Sequence, residues 1–357
     1  MDFFNLPLHS WFSLYKRDLP WRDTIDPYKI WLSEIILQQT RIDQGLDYYN
    51  RFVDEFPTIS DLANAPEDKV LKLWQGLGYY SRARNLHYTA QYVAKHHSGV
   101  FPSTYKDIIA LKGVGEYTAA AIASISFKLE YPTVDGNVFR VLSRYFGIFD
   151  PIDSTIGKKT FLNLAKELIK GTDPAMHNQA LMEFGALQCT PKNPDCVNCP
   201  FIERCFAFTN QKISELPVKQ NKVKQRDRYF NYLVIDGKND LYIRKREEND
   251  IWRNLYEFPL VETDNEVDVE EILSSHDFQD VIPAGSTPAI EKISNWRIHI
   301  LSHQRIHYRF ILIQPVAEFK CQGNIIRVNK EDIFNFAVPR LLEIFLNEYL
   351  KNNSSCE

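Results

Sequence analysis

Four of the six cysteines fall within one short stretch, as Cys189-x6-Cys196-x2-Cys199-x5-Cys205, while Cys321 and Cys356 stand alone. Clustering of this kind argues for a metal site rather than a disulfide framework. The segment is broken by Pro191, Pro194 and Pro200, so it reads as a loop whose four thiolates can wrap one compact centre. A tetrahedral zinc site would also be satisfied by four cysteines, although zinc modules usually pair two CxxC knuckles and only one is present.

Two carboxylates stand in unusual surroundings. Glu34 lies inside IWLSEIILQQT, which is otherwise so apolar that the helix must be largely buried. Desolvation there raises a carboxyl pKa and keeps the proton near neutrality, as a general acid requires. Read alone, Glu34 is equally a buried, hydrogen-bonded structural acid. Asp135 sits in PTVDGNVFRVLSR, where Asp-Gly-Asn before a helix reads first as a turn or N-cap. A third signal is LKGVGEYTAAAIAS, residues 111–124. Gly113 and Gly115 bracket a tight turn opening a helix, so backbone N–H groups can meet a DNA phosphate. An ordinary turn between two helices gives the same pattern.

These residues need a scaffold, and from Leu8 to about Ala186 the apolar residues recur at helical spacing, as in DKVLKLW, YTAAAIASISF and GNVFRVLSRYF. Gly and Pro punctuation at FPT, GLG, SGVFP, YPT and GTDP marks the helix ends. Residues 209–228 carry six basic and two acidic groups and few large apolar ones, which reads as a linker. Beyond Arg228 come short β-branched and aromatic runs, YFNYLVI, DLYIRKR, WRIHILS and HYRFILIQPV. Asp236-Gly237 and Lys238-Asn239-Asp240 suit a hairpin turn between the first two. Helices are expected over VDVEEILSS and PRLLEIFLNEYLK. At 357 residues and 44% apolar composition the chain should form two domains. Without a long apolar run or a secretory leader, a cytoplasmic protein that does not enter membranes is expected. The net charge of −4 lacks the basic excess of a nucleic-acid binder, so any DNA contact must be local.

The order SEIILQQT, LWQGLGYYSRARNL, LKGVGEYT, VDGNVFRVLSR and the cysteine loop resembles the endonuclease III (helix-hairpin-helix) superfamily over residues 1–208. Within it, LPWR, QQT, GLGYYSRARNL and FGALQC look like the MutY-type adenine DNA glycosylases. The resemblance implies a multi-domain fold. An all-α glycosylase region spans 1–208, with a helix-hairpin-helix barrel over about 28–133 and a cluster module from 1–27 plus 134–208. A basic linker (209–228), an α+β Nudix-like domain (229–347) and a disordered tail (348–357) follow.

The same resemblance implies one 4Fe-4S cluster on Cys189, Cys196, Cys199 and Cys205. It makes Glu34 the acid that protonates adenine N7 and Asp135 the group that stabilises the sugar cation or bonds to it, with Tyr117 and Asn137 fixing their geometry. Trp21, Arg22, Leu37 and Glu183 match adenine-pocket positions. Gln39, Thr40, Leu77 and Tyr79 match residues at the lesion, beside the hairpin glycines Gly113 and Gly115, with Tyr79 able to wedge into the base stack. Strand-cutting relatives place a Schiff-base lysine where this chain has Tyr117, so a monofunctional enzyme is expected. IWRNLYEFP and LSHQRIHYRF carry the Nudix-like resemblance, without the GxxxxxE and RExxEE pattern of nucleotide hydrolases. Ser302 and His303 match the loop that senses 8-oxoguanine, with Leu301 where the family commonly has an aromatic; His303 also reads as a strand-end histidine.

The expected substrate is duplex DNA with adenine opposite 8-oxoguanine or guanine, acted on by a monomer at a bacterial nucleoid. Two other readings remain: a T or U mismatch glycosylase of the superfamily, and a non-catalytic iron-sulfur DNA-binding protein.

Overall fold

The computed structural model describes residues 2–221, 224–282, 289–314 and 323–353, with Asn352 and Asn353 described by backbone alone. Cys321 and Cys356 lie outside these residues. The chain divides into two compact units, one made of residues 1–64 and 85–221, the other of 65–84 and 222–357.

The first unit is all-α. Its helices are α1 (Asp2–Tyr15), α2 (Pro27–Leu37), α3 (Ile42–Glu55) and α4 (Ile59–Asn64). After α5 (Glu67–Trp74), which belongs to the second unit, come α6 (Ser81–His96), α7 (Tyr105–Ile109), α8 (Glu116–Phe127), α9 (Gly136–Phe146), α10 (Thr155–Ile169), α11 (Pro174–Leu187) and the short α12 (Phe206–Thr209). Start signals are local. Asp26, Thr104, Asp135, Ser154 and Asp173 each accept a hydrogen bond from the first turn they cap, and Pro27 and Pro174 occupy first helical positions. Residues 30 to 36 of α2 are buried without a break. One aromatic core gathers Phe4, Trp11, Tyr145, Phe161, Phe184 and Phe201, and Cys189, Cys199 and Cys205 pack against it.

The second unit is α+β. Strands β1 (Arg226–Ile235), β4 (Leu260–Thr263), β5 (Ala289–Ile293), β6 (Arg297–Ile300) and β7 (Gln304–Gln314) form one sheet, in the order β4-β1-β7-β5 with β6 also on β7. Strands β2 (Asp240–Lys245), β3 (Tyr256–Glu257) and β8 (Ile325–Asn329) form another, ordered β3-β2-β8. β1 and β7 run parallel, Arg226 opposite Gln304 through Ile235 opposite Ile313. Leu233, Ile235, Ile311 and Ile313 pack with Ile272 of α13 (Val269–Ser274) and Phe278 of α14 (His276–Val281). Phe230, Tyr232 and Phe310 are buried as well, which is why both strands read as continuous apolar runs. Helix α15 (Arg340–Asn353) closes the chain.

Four expectations differ from what the structure places. Gly237 N–H donates to Asp240 O at 2.9 Å and Asp236 and Leu241 form an antiparallel bridge, so the turn is a hairpin turn, but beyond that bridge β1 and β2 enter different sheets. Residues 209–221 are not a free tether. Leu216 is buried, Arg144 Nε donates to Leu216 O at 3.1 Å, and Asp153 accepts from the backbone N–H groups of Gln220 and Asn221. The tail expected from residue 348 is helical as far as Asn353. The stretch 65–84, expected inside the helical region, clusters with the second unit: Lys245 pairs with Asp68 at 2.6 Å and Lys72 Nζ donates to Phe336 O at 3.2 Å. No helix among the described residues is long and apolar enough to cross a membrane.

Candidate active site

A pocket of about 210 Å³ in the first unit is lined by Trp21, Arg22, Glu34, Leu37, Thr40, Tyr117, Asp135, Asn137 and Glu183. Glu34 and Asp135, marked by their surroundings, and seven residues marked by the family resemblance thus converge from α2, α8, α9 and its N-cap, α11, the Pro20–Arg22 turn and the α2–α3 connection. Glu34 reaches it from the buried face of α2. Burial pushes its pKa from the ordinary 4.5 up to about 7, the Tyr117 hydrogen bond pulls the other way, and the nearby Asp135 charge adds to the rise. The Tyr117 hydroxyl also lies 3.1 Å from Met182 Sδ.

Asp135 both caps α9 and lines the pocket. Its Oδ1 accepts from Val138 N at 2.8 Å, capping α9, and its Oδ2 accepts from Asn137 Nδ2 at 2.8 Å. Burial raises this carboxyl above its ordinary value, opposed by those donors and by Arg140. Arg140 is itself buried and donates to Asn137 Oδ1 (2.8 Å), Gly185 O (2.6 Å) and Cys189 O (2.7 Å). The glycine of FGALQC explains the closeness: a Cβ on Gly185 would stand 2.6 Å from Asn137 Cβ, so only glycine lets α9 begin so near α11.

Glu183 has the opposite electrostatics. Arg17 donates to it from its backbone N (2.9 Å), Nε (2.9 Å) and Nη2 (2.6 Å), and Arg22 from Nη1 (3.0 Å). Burial works against the charge, yet these donors hold the carboxyl at about 2. One acid in the pocket therefore keeps its proton near neutrality while another never takes one up. Arg17, Gln179 and Met182 line the same pocket and were missed in the sequence. Nothing local marks them.

The cysteine loop packs against the aromatic core close to these groups. Arg144 Nη1 lies 3.5 Å from Cys189 Sγ and donates to Thr190 O at 2.8 Å. Burial pushes the Cys199 thiol up to about 12, with the neighbouring thiolates adding to it, so four thiolates here need a bound cation. Among the described residues the cysteines do not form a set whose ligand atoms lie within 4.8 Å of one another. Four thiols on one proline-broken loop are a donor set that fits a thiolate-ligated centre.

Two family models match this chain, the HhH-GPD superfamily base excision DNA repair protein over residues 32–167 and the NUDIX domain over 231–348. The adenine DNA glycosylase of Buchnera aphidicola subsp. Baizongia pistaciae is 33% identical over 98% of this chain and 97% of its own length. The chain belongs to the adenine DNA glycosylase family. As a member it is a base-excision repair enzyme that hydrolyses N-glycosyl bonds. The mouse adenine DNA glycosylase is 41% identical over 60% of this chain and 43% of its own length. A thermostable thymine-DNA glycosylase superposes with a TM-score of 0.54 at 31% identity, covering 58% of this chain and 95% of that one.

The remaining residues marked by the family resemblance fall in three places. Leu77, Tyr79, Ser302 and His303 line a pocket of about 520 Å³ inside the second unit, together with Trp252. Tyr79, left-handed at φ 46° and 45% exposed, hydrogen-bonds its hydroxyl to Ser302 Oγ. Trp252, within the IWRNLYEFP stretch, is also left-handed, at φ 59°. Gly113 and Gly115 stand at the turn from α7 to α8. Gly113 has φ 81°, a Cβ there would meet Asn85 Cβ at 2.7 Å, and Thr89 Oγ1 fixes the turn by donating to Lys112 O at 2.8 Å. Gln39, left-handed at φ 57°, does not line the catalytic pocket although its neighbour Thr40 does.

Proposed function

We propose that this enzyme excises adenine opposite 8-oxoguanine or guanine in duplex DNA, as a monofunctional, monomeric glycosylase of the bacterial cytoplasm. The observation that carries the chemistry is Glu34: a buried carboxyl raised to about 7, beside a second carboxylate and with no cation among its interacting groups. The extruded base enters the pocket of Trp21, Arg22, Leu37 and Glu183. Protonated Glu34 gives its proton to adenine N7, which makes the base a neutral leaving group as the N-glycosidic bond breaks. Asp135, whose charged form Val138 N–H, Asn137 and Arg140 favour against burial, stabilises the positive sugar or bonds to it until water adds. One acid starts neutral and one charged, the division of labour used in glycoside hydrolysis.

Tyr117, held against Glu34, orients the acid and cannot form an imine, so the strand stays intact. The hairpin amides at Gly113–Gly115 receive a DNA phosphate, while Gln39 and Thr40 face the opposite purine. Leu77, Tyr79, Ser302 and His303 read that purine. Cys189, Cys196, Cys199 and Cys205 hold one 4Fe-4S cluster, which supplies structural cross-linking of the loop. The thymine-specific neighbour leaves 42% of this chain uncovered, whereas the adenine-specific relative spans nearly all of it, which supports adenine over thymine.

The experiment is release of free base from duplexes carrying A, T or U opposite 8-oxoguanine or guanine. Adenine alone should appear, with strand breaks only after alkali. Release of thymine or uracil in its place, or cleavage without alkali, overturns the reading. Broad absorption near 400 nm tests the cluster, and zinc without it refutes that part.

A further inference from the structure

The catalytic pocket is not isolated. A second cavity of about 310 Å³ in the same unit is lined by Phe12, Ser13, Thr24, Asp173 and Met176 among others, and Arg22, Ile125 and Gln179 line both. These three residues form a shared wall. The carboxylate pair and Thr40 belong only to the first cavity, and Thr24 and Asp173 only to the second, so the two lie on either side of that wall.

The wall is unevenly held. Arg22 is fixed by Glu183 and by its bond to Arg17 O at 2.6 Å. Ile125 is 6% exposed, packed near the end of α8. Gln179 is half-buried, and among the described residues its side-chain amide makes no hydrogen bond. It can therefore change rotamer without breaking one. The far side offers Phe12, Ile125 and Met176 as flat or soft apolar surfaces for a purine face, with the Ser13 and Thr24 hydroxyls at hand.

Extrusion places the sugar at the entrance of the catalytic pocket and the base behind it. Once the bond is broken, the abasic strand still fills that entrance, and the purine cannot return the way it came while the duplex stays bound. We propose that the second cavity is the exit for the freed purine base, with Gln179 as the movable part of the wall. This rests on adenine being the substrate. Release of the base is then independent of release of the duplex, a separation of product steps of the sort that sets turnover in many enzymes.

The test uses the full-length enzyme in single turnover on a duplex with radiolabelled adenine opposite 8-oxoguanine, sampled by rapid filtration that retains protein and bound DNA. Abasic sites are counted on the filter after alkali, and free base in the filtrate. In the wild type the base should pass the filter as fast as abasic sites form, while the duplex is still retained. In Thr24→Trp, which fills the outer cavity, base retained per abasic site should rise about tenfold; that ratio does not depend on how fast the variant cleaves. Base that leaves the wild-type enzyme only together with the duplex overturns the exit. An unchanged ratio in Thr24→Trp does so too. Absence of abasic sites in the wild type instead overturns adenine as substrate.

Discussion

Each unit buries a glutamate, and the two are treated in opposite ways. In the second unit Glu257 meets Arg246 at 3.0 Å and Arg244 at 3.0 Å, and Arg246 also pairs with Asp250, which Arg228 shares with Glu262. In the first unit Glu34 has a tyrosine hydroxyl and another carboxylate for company. Burial costs both of them their preference for charge. At Glu257 burial still raises the carboxyl, but Arg246 and Arg244 oppose that cost and tie the group into the architecture. At Glu34 only the Tyr117 hydrogen bond opposes it, and what remains is a proton held near neutrality. Glu34 keeps its proton beside a pocket, whereas Glu257 is tied into a web of ion pairs.

The largest expected effect comes from removing that proton. Glu34→Gln keeps the shape and loses the acid, so single-turnover adenine release should fall by about 10²–10⁴-fold, with duplex binding retained in a gel-shift assay. In the wild type the same rate should decline as pH rises through about 7. The sign for stability follows from the same shift. A carboxyl whose folded pKa lies above its unfolded 4.5 binds more protons in the native state, so its stability contribution is whole below 4.5 and is lost as pH rises through about 7. Glu34→Gln should therefore melt near the wild type at pH 4.5 and above it at pH 8. A variant that melts lower at both pH values would show that Glu34 is structural, like Glu257.

The converse substitution belongs to the second unit. Arg246→Met strips Glu257 and Asp250 of a partner and should cost about 3–5 kcal/mol in denaturant unfolding of that unit, while the rate of adenine release per folded molecule stays put. Adding Glu257→Leu should recover part of the loss, because it removes the buried carboxylate left without Arg246, while Arg244 keeps Glu248 and Asp250 keeps Arg228. If Arg246→Met slows the chemical step at full folding, the division between the two glutamates fails.

What the sequence made legible was whatever is local. The cysteine loop declares itself by spacing, and Glu34 by the apolar run around it. Asp135 reads as a cap because capping is decided within three residues, and the structure adds the pocket on its other side. Arg17 escaped notice because its meaning is its grip on Glu183, 166 residues away, and Gln179 because a polar residue on a helix says nothing until a cavity stands on each side of it. The turn at Asp236-Gly237 was read correctly as a turn, yet pairing of the strands it joins depends on distant partners. Polar composition suggested a tether at 209–228, while the buried Leu216 and the reach of Arg144 fix its first half. The α+β class of the second unit was legible from its strand texture, but the docking of Glu67–Trp74 on it, through ion pairs such as Lys245–Asp68, was not.

The smallest effect sharpens the contrast from the side of recognition. Ser302 lies in the second unit and bonds Tyr79, far along the chain from the acids that break the bond. Ser302→Ala deletes one hydrogen-bonding group at a partly exposed site, worth about 0.5–1.5 kcal/mol. The rate on adenine opposite guanine should stay as it is, and only the preference for 8-oxoguanine over guanine should shrink, by a factor of about 2–12 in the ratio of single-turnover rates at subsaturating enzyme. Leu301→Phe, which supplies the aromatic common in the family, should move the same ratio the other way. Equal losses on both duplexes would mean that Ser302 supports the fold of the loop rather than the choice of purine, and the second unit would then contribute stability to the enzyme without discriminating between its substrates.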